Sequence, residues 1–284
     1  MPENSACSSA ASCSKESCEG CKSNPKNAKE SFQTACNVHS SIKKVIGVIS
    51  GKGGVGKSFV TGHLAAGLRR MGYAVGVMDA DITGPSIPKM YGVTGTAYGN
   101  EEGEILPLET GDGTKIISIN VLMDDPEAPV IWRGPVIAGA VKQFWTDVLW
   151  GDLDFLLVDM PPGTGDVPLT VFQSLPLDGV VIVTSPQELV QMIVKKAYSM
   201  AMQMGVPVLG VVENYSFLKC PDCGKEISLF GESRIDAIAG DLSIPVLGKL
   251  PLDPAFAKEV DRGAFYETEN PYLTEAVQTL KGLL

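Results

Sequence analysis

The chain has 284 residues and a mass of 30.1 kDa, a length typical of one or two domains. With 44% hydrophobic and 20% charged residues, its composition fits a globular protein and excludes a wholly disordered or fibrous one. The formal net charge of -10 argues against sequence-independent binding of nucleic acid, which requires a basic surface. No apolar run approaches the roughly 18 residues of a membrane-spanning helix, and the N-terminus lacks the apolar core of a secretory signal. We therefore expect a cytoplasmic protein that binds neither nucleic acid nor a membrane.

Residues 1–41 differ from the rest of the chain. They contain few large apolar residues and their charges cancel, so residues 42–284 carry the whole net charge. Such a segment cannot offset its ordering entropy by burial alone, and it is either a disordered tail or a small module organised by a metal. Five of the seven cysteines lie here, and in a reducing compartment clustered thiols bind metal or carry out redox chemistry more often than they form disulfides. These five are Cys7, Cys13, Cys18, Cys21 and Cys36.

From residue 42 onward, short apolar runs alternate with helical patterns. The runs are rich in β-branched residues without polar interruptions, which favours strands buried on both faces of a parallel sheet. Strand–helix alternation predicts a doubly wound α/β fold, with a mostly parallel sheet of about seven or eight strands flanked by helices. Strands are predicted at 45–49, 74–78, 116–122, 155–158, 180–184, 208–212 and 246–250, and helices at 57–71, 135–149, 167–174, 188–204, 254–262 and 271–283.

Residues 51–58 (GKGGVGKS) match the phosphate-loop pattern G-x-x-x-x-G-K-S/T between a predicted strand and a predicted helix. Glycines let backbone N–H groups turn towards phosphate oxygens, and the helix N-terminus adds positive potential. We expect Lys57 to reach the β- and γ-phosphates and Ser58 to bind Mg²⁺. The predicted nucleotide contacts are Gly51, Lys52, Gly53, Gly54, Val55, Gly56, Lys57 and Ser58.

Carboxylates follow two of the predicted strands, where a sheet of this kind binds its ligand. Asp79 and Asp81 end the second strand; one would hold Mg²⁺ through water and the other would position the attacking water. Asp159 closes the run 155–158, an arrangement typical of Mg²⁺ binding from the second coordination shell. The following glycines would track the γ-phosphate, with Gly163 as the backbone donor. No N-K-x-D guanine motif occurs, which favours ATP, and Asp253 after the last strand is a candidate on the base side.

Cys220 and Cys223 have the C-x-x-C spacing with which two thiolates share one metal or cluster. A structural zinc site and a 4Fe-4S cluster each require four ligands. A two-fold axis would duplicate the pair, or Cys18 and Cys21 would complete a zinc site within one chain. The spacing alone does not separate zinc from a cluster, and it disfavours a thioredoxin-like redox pair because no helix begins there after the first strand.

Lys52 is a second lysine inside the phosphate loop, as in the deviant Walker A ATPases, which include MinD, ParA, the nitrogenase iron protein and the Mrp/ApbC iron–sulfur carriers. The resemblance implies a MinD-like P-loop NTPase fold and a homodimer in which Lys52 reaches the partner's nucleotide and offsets charge in phosphoryl transfer. It also implies that Asp81 is the switch I aspartate concerned with hydrolysis. By the same resemblance, Asn214 contacts adenine.

Further motifs make the chain similar to the Mrp/ApbC group in particular, from about residue 43 onward. They are residues 79–86 (DADITGPS), 132–135 (WRGP), 159–166 (DMPPGTGD), 184–187 (TSPQ) and 220–224 (CPDCG). Members of this group are homodimeric ATPases that carry a labile 4Fe-4S cluster at the dimer interface and pass it to apo iron–sulfur proteins. The resemblance implies such a cluster, bridged by Cys220 and Cys223 of two subunits.

The second C-x-x-C, Cys18 and Cys21, resembles the ferredoxin-like N-terminal motif of the longer, Nbp-type relatives. It implies a second 4Fe-4S cluster with Cys36 as a further ligand, although Cys36 lies further downstream than in those relatives. The alternative is a flexible tail that binds zinc loosely or nothing. His39 and His63 are interpreted as polar or packing residues.

The leading hypothesis is therefore an ATP-binding and ATP-hydrolysing carrier or scaffold that assembles 4Fe-4S clusters and transfers them to apo-proteins. In this hypothesis nucleotide and cluster are coupled, because both lie at the dimer interface. One alternative is a nucleotide-gated electron-transfer ATPase like the nitrogenase iron protein. Another is a positioning ATPase of the MinD/ParA type with a structural zinc.

Overall fold

A computed structural model describes residues 33–82, 84, 86–123, 134–186 and 190–284. Cys18 and Cys21 therefore lie outside the described residues, as do Cys7, Cys13 and parts of the WRGP, DADITGPS and TSPQ motifs. The strands are β1 (Ser41–Ile49), β2 (Val75–Asp79), β3 (Leu108–Glu109), β4 (Lys115–Ile117), β5 (Asp152–Asp159), β6 (Gly179–Thr184), β7 (Val208–Lys219), β8 (Glu226–Ile227) and β9 (Val246–Pro251). The α-helices are α1 (Lys57–Arg70), α2 (Ile87–Met90), α3 (Gly134–Thr146), α4 (Asp166–Ser174), α5 (Val190–Gln203), α6 (Ile235–Leu242), α7 (Pro254–Asp261) and α8 (Thr274–Lys281).

The strands run in the order β3-β4-β2-β5-β1-β6-β7-β9, and β8 pairs with the far end of β7. All pairings are parallel except β3 with β4 and β7 with β8, which confirms the predicted mostly parallel, doubly wound sheet. Within the described residues the strands number nine rather than about seven or eight. The additional strands, β3 and β8, have two residues each, too few to give a sequence pattern.

Alternate residues of β1 pack into two different apolar clusters. Ile46 and Val48 join the cluster that includes Leu64 of α1, whereas Val45 and Ile49 join the cluster on the side of α3 to α6. All four side chains are at most 3% exposed. The central strand is therefore covered by helices on both faces, which is why its sequence is apolar without alternation.

Several elements differ from the sequence prediction at their ends. The strand predicted at 116–122 ends at Ile117 and continues as a 3-10 helix, Ile119–Leu122. The predicted helix 271–283 is a 3-10 turn, Pro271–Leu273, followed by α8. Strand β7 continues seven residues beyond the predicted 208–212, so that Asn214 lies within a strand rather than after one. The two short helices α2 and α6 have no counterpart in the prediction.

The residues just before β1 pack against the body of the domain. The backbone N–H of Asn37 donates to Trp145 O at 3.2 Å, and Trp145 Nε1 donates to Thr34 O at 2.8 Å. Glu104 accepts hydrogen bonds from Asn37 Nδ2 at 3.0 Å and from Asn100 Nδ2 at 2.8 Å, and it lies 2.7 Å from His39 Nδ1. These contacts fix the end of the Cys-rich segment, including Cys36, on the body of the domain.

In the part of the chain that the structure describes, no helix combines the length and apolar character needed to cross a bilayer.

Candidate nucleotide and thiol sites

The phosphate loop joins β1 to α1 in the way the motif predicts. Gly54 and Gly56 have φ values of 78° and 80°, in the left-handed region that favours glycine. A Cβ atom on Gly56 would lie 2.1 Å from Asn214 Nδ2, and one on Gly51 would lie 2.2 Å from the side chain of Ile193. Backbone conformation therefore requires glycine at position 54, the close approach of α5 requires it at position 51, and both backbone conformation and the close approach of β7 require it at position 56.

Lys57 and Asp159 form the buried centre of the site. Lys57, 6% exposed, places Nζ 2.8 Å from Asp159 Oδ1 and 3.7 Å from Asp81 Oδ2. Asp159 is fully buried and accepts hydrogen bonds from Ser58 Oγ at 2.5 Å and from Thr61 Oγ1 at 2.8 Å. The structure thus brings together four residues that the sequence predicted separately, and it adds Thr61, which the sequence analysis missed because it lies beyond the motif.

Asp79 lies beside Asp159, since the two are register partners on β2 and β5. It accepts hydrogen bonds from the backbone N–H groups of Asp81, Ser86 and Ile87, and so organises the loop that follows β2. Burial, together with the neighbouring carboxylate of Asp159, raises the pKa of Asp79 to about 8. Two adjacent buried carboxylates and the Ser58 hydroxyl form a set of oxygen donors of the kind that Mg²⁺ prefers.

Gly163 holds the loop after β5 against the phosphate loop. Its backbone N–H donates to Ser50 O at 2.9 Å, and its φ of 88° is left-handed. The backbone N–H that the sequence predicts to donate to the γ-phosphate therefore donates to a protein carbonyl in this conformation. Contact with a γ-phosphate requires this hydrogen bond to open.

The two predicted base-side residues lie at one cavity of about 270 Å³, which is also lined by Phe59, Tyr215 and Phe256. Asn214 is 2% exposed and donates from Nδ2 to Val55 O at 3.0 Å, so its amide braces the phosphate loop from the side of the cavity. Asp253 caps α7 by accepting from Ala255 N at 2.8 Å. The aromatic lining was missed by the sequence analysis, because its members come from three distant segments.

Cys220 and Cys223 lie in the turn between β7 and β8. Cys220 N donates to Lys225 O and Gly224 N donates to Cys220 O, both at 2.9 Å, and Gly224 has a φ of 71°. Hydrogen bonds from the backbone of Cys223 and Asp222 lower the pKa of the Cys220 thiol. Such a turn favours thiolate at Cys220, and the exposed side chain of Cys223 leaves the pair open to a ligand.

Cys36 has a different environment. Its Sγ lies 3.7 Å from Trp145 O, and partial burial raises the pKa of the thiol. Among the described residues, the one group of three or more His, Cys or carboxylate ligand atoms within 4.8 Å of one another is His39, Glu102 and Glu104. Within that part of the chain, then, neither Cys36 nor the cysteines of the turn complete a ligand set.

A family model described as ParA, NUBPL iron-transfer P-loop NTPase, matches residues 41–283, most of the chain. The chain belongs to this family. This membership confirms the P-loop NTPase fold inferred from the phosphate loop, and the match begins at the first residue of β1.

Curated relatives in the iron-transfer family are similar over most of their length. An iron–sulfur cluster carrier protein of Methanocaldococcus jannaschii is 49% identical over 225 residues, covering 79% of this chain and 78% of the relative. An iron–sulfur cluster carrier protein of Clostridium perfringens is 45% identical over 273 residues, covering 90% of this chain and 96% of the relative.

Solved structures agree with the fold. A nucleotide-binding protein from Archaeoglobus fulgidus in complex with ADP has a TM-score of 0.74 and 41% identity, covering 82% of this chain and 91% of that one. MinD of Aquifex aeolicus, at 20% identity and a TM-score of 0.58, shares the fold.

Proposed function

We propose that this protein is an ATP-hydrolysing iron–sulfur cluster carrier that assembles 4Fe-4S clusters and transfers them to apo iron–sulfur proteins in the cytoplasm. The observation that carries the proposal is strand β7, which braces the phosphate loop through Asn214 and ends at the cysteine turn. The six residue-to-residue steps from Asn214 to Cys220 span at most about 20 Å at the rise of a β-strand. One continuous element thus connects the nucleotide to the thiols.

The phosphate loop, with Lys57 and Ser58, binds the triphosphate, and the aromatic cavity beside Asn214 and Asp253 receives adenine. The ADP complex of the Archaeoglobus fulgidus relative supports the binding of an adenine nucleotide. Ser58, with Asp79 and Asp159 behind it, fits Mg²⁺ by its oxygen donors, and the ion would neutralise charge on the phosphates. When nucleotide enters, Lys57 exchanges its contact with Asp159 for the phosphates.

Hydrolysis requires a group that orients water and a cation that offsets developing charge. Asp81 lies 3.7 Å from Lys57 Nζ and would orient the attacking water. Lys52, half-buried in the loop, would supply the second cation across a homodimer interface. Opening of the Gly163 hydrogen bond to Ser50 links the γ-phosphate to the loop after β5.

The cluster is the cargo of this reaction, and the cysteine turn supplies half of its ligands. A homodimer with a two-fold axis brings two copies of Cys220 and Cys223 together and provides four thiolates. Because the nucleotide also lies at that interface, closing the dimer would change the spacing of the two cysteine pairs. Cys18, Cys21 and Cys36 remain candidate ligands of a second cluster in the N-terminal segment.

The test is anaerobic reconstitution of the full chain, followed by timed transfer of the cluster to an apo-acceptor with and without Mg-ATP. We expect a brown protein that contains iron and sulfide, whose rate of transfer depends on nucleotide. Identical rates would contradict the coupling. A colourless protein that contains zinc in place of iron would contradict the carrier function itself.

A further inference from the structure

A cleft of about 170 Å³ lies between α1 and the C-terminal segment, separate from the aromatic cavity, with which it shares no lining residue. His63 and Gly67 line it from α1, and Asn270 and Val277 line it from the opposite side. Gly67 allows the close approach of α8, because a Cβ there would lie 2.6 Å from Val277 Cγ2. The cleft is thus formed by direct helix packing beside the phosphate-loop helix.

Two buried polar side chains that line this cleft have nitrogen atoms without a hydrogen-bond partner among the described residues. His63 is 2% exposed, and neither of its ring nitrogens has a hydrogen bond there. Asn270 is 6% exposed; its Oδ1 accepts from Tyr272 N at 3.2 Å, but its Nδ2 has no acceptor. Buried polar groups are normally satisfied, so two unsatisfied groups at one cleft indicate a missing polar ligand.

Aromatic packing accounts for the position of the His63 ring but not for its nitrogens. The ring is edge-on to Phe59 at 4.3 Å and to Phe265 at 4.9 Å between centroids. Burial, with the nearby Arg70, lowers the pKa of His63 to about 3, so the ring is neutral. A neutral imidazole offers one donor and one acceptor, and an aromatic face cannot satisfy the acceptor.

Charged groups of both signs stand at the mouth. Arg70 is exposed, and its Nη2 donates to Tyr266 O and Thr268 O, which holds the guanidinium at the edge of the cleft. Glu269 lines the same cavity and is exposed. A guanidinium next to an amide donor is suited to a carboxylate.

We propose that this cleft binds a small carboxylate that carries a hydrogen-bond donor on the neighbouring carbon. Arg70 and Asn270 Nδ2 donate to the carboxylate, and His63 accepts from the hydroxyl or ammonium group. The volume is well above the roughly 10–15 Å³ that a single water needs, and it suits a ligand of a few heavy atoms.

Calorimetric titration of the full chain, without nucleotide or cluster, tests the proposal with three probes that share one three-carbon carboxylate skeleton. L-lactate and L-alanine carry the donor as hydroxyl and as ammonium, and propionate lacks it. We expect lactate or alanine to bind about tenfold more tightly than propionate, and the stronger of the two identifies the donor. Equal binding of all three, or no binding at millimolar concentrations, would overturn the proposal.

Two variants locate the binding in the cleft. His63→Phe keeps an aromatic ring among its neighbours and removes both nitrogens, and Asn270→Asp keeps the oxygen that accepts from Tyr272 while it removes the donor. Each should weaken binding of the preferred probe about tenfold or more, whereas His39→Phe, at the other, exposed histidine, should not. Unchanged affinity in both cleft variants would refute the assignment. Because the test uses neither ATP nor iron, its outcome is independent of the carrier function.

Discussion

The phosphate loop and the cysteine turn differ in how far a single chain completes them. At the phosphate loop, Lys57, Asp79 and Asp159 are buried and each has protein partners. At the turn, Cys220 is half-buried and Cys223 is exposed, and in the described residues no third thiol lies near them. One region is preorganised within the chain, whereas the other offers half of a ligand set.

The difference bears on the division of work between the two regions. A buried, internally bonded site holds its geometry and can bind nucleotide without assembly. An exposed pair of thiols on a two-strand turn can release what it binds, which suits cargo rather than a resident cofactor. The apolar residues at the end of β8 and just beyond it extend this exposed surface: Ile227, Leu229 and Phe230 are 42%, 48% and 50% exposed. Contiguous exposed apolar residues are typical of surfaces that meet another chain.

The largest effect should come from Lys57→Met. It removes the buried cation that the triphosphate requires, so we expect ATP hydrolysis to fall by about 100-fold or more. Phosphate release measures the rate, and circular dichroism checks the fold. Lys43→Met is the matched control, since Lys43 pairs with Asp154 at the surface. Hydrolysis by Lys57→Met near the wild-type rate would mean that the buried region is not the nucleotide site.

Removal of the thiols should impair cluster binding at the cysteine turn and leave the phosphate loop intact. We expect Cys220→Ser and Cys223→Ser each to lose at least about tenfold in cluster retained at the bridging site, because a serine hydroxyl is a poor ligand for iron. Iron and sulfide analysis after anaerobic reconstitution measures the loss. Nucleotide binding by the cluster-free variants should equal that of the cluster-free wild type.

Asp222→Ala is the control within the turn, because Asp222 assists Cys220 through its backbone. It should retain the cluster. If Asp222→Ala lost as much iron as the cysteine variants, the turn would act through its conformation rather than through its thiols.

Two glycines of the phosphate loop separate backbone strain from crowding. Gly54 and Gly56 have nearly equal φ values, but a Cβ on Gly54 meets no atom within 4 Å whereas one on Gly56 meets Asn214. Gly54→Ala should cost about 1–2 kcal/mol of unfolding free energy from strain alone. Gly56→Ala should cost about 3 kcal/mol, since it must also displace a buried amide. Urea unfolding measures both, and equal losses would contradict the bracing role of β7.

The buried region was the more predictable of the two from sequence. A phosphate loop needs glycine for its backbone and lysine for its phosphates, so the motif determines the structure, and uninterrupted apolar runs reveal strands such as 45–49 and 180–184. Strand β7 shows the limit. Tyr215 has a φ of 59°, unusual for a bulky residue, and the irregular strand continues to Lys219 because Phe217 pairs with β9 and the last two residues pair with β8.

The spacing of the two cysteines in the turn was predictable from sequence, but the rest of their ligand set was not. Ligands that come from another chain, or from residues outside the described ranges, leave no trace in the local sequence. For the same reason the sequence could not show that Cys36 packs against Trp145, 109 residues away. Contacts between distant segments depend on tertiary packing, and a pattern of spacings contains no record of it.

The smallest effect is expected at the segment that holds Cys36, which packs against Trp145 and Glu104 of the domain. Hydrogen bonds from Asn37, His39 and Asn100 lower the pKa of Glu104 from 4.5 to about 2. The stabilisation that the Glu104 carboxylate gives to the segment is therefore complete above pH 4.5 and is lost as the pH falls towards 2. The Glu104 carboxylate raises the pKa of His39 above 6.5. The stabilisation from the charged pair of His39 and Glu104 is therefore complete below pH 6.5 and is lost as the pH rises past the raised pKa.

The segment should therefore be held most firmly between about pH 4.5 and 6.5. Protection of the Asn37 backbone amide from hydrogen exchange, corrected for the intrinsic rate, should be highest in that window. Glu104→Gln should lower the protection and flatten its pH dependence, whereas Glu102→Gln leaves the three hydrogen bonds in place. If Glu104→Gln kept the wild-type profile, the end of the Cys-rich segment would be held by Trp145 alone, and Cys36 would be freer to join the N-terminal thiols.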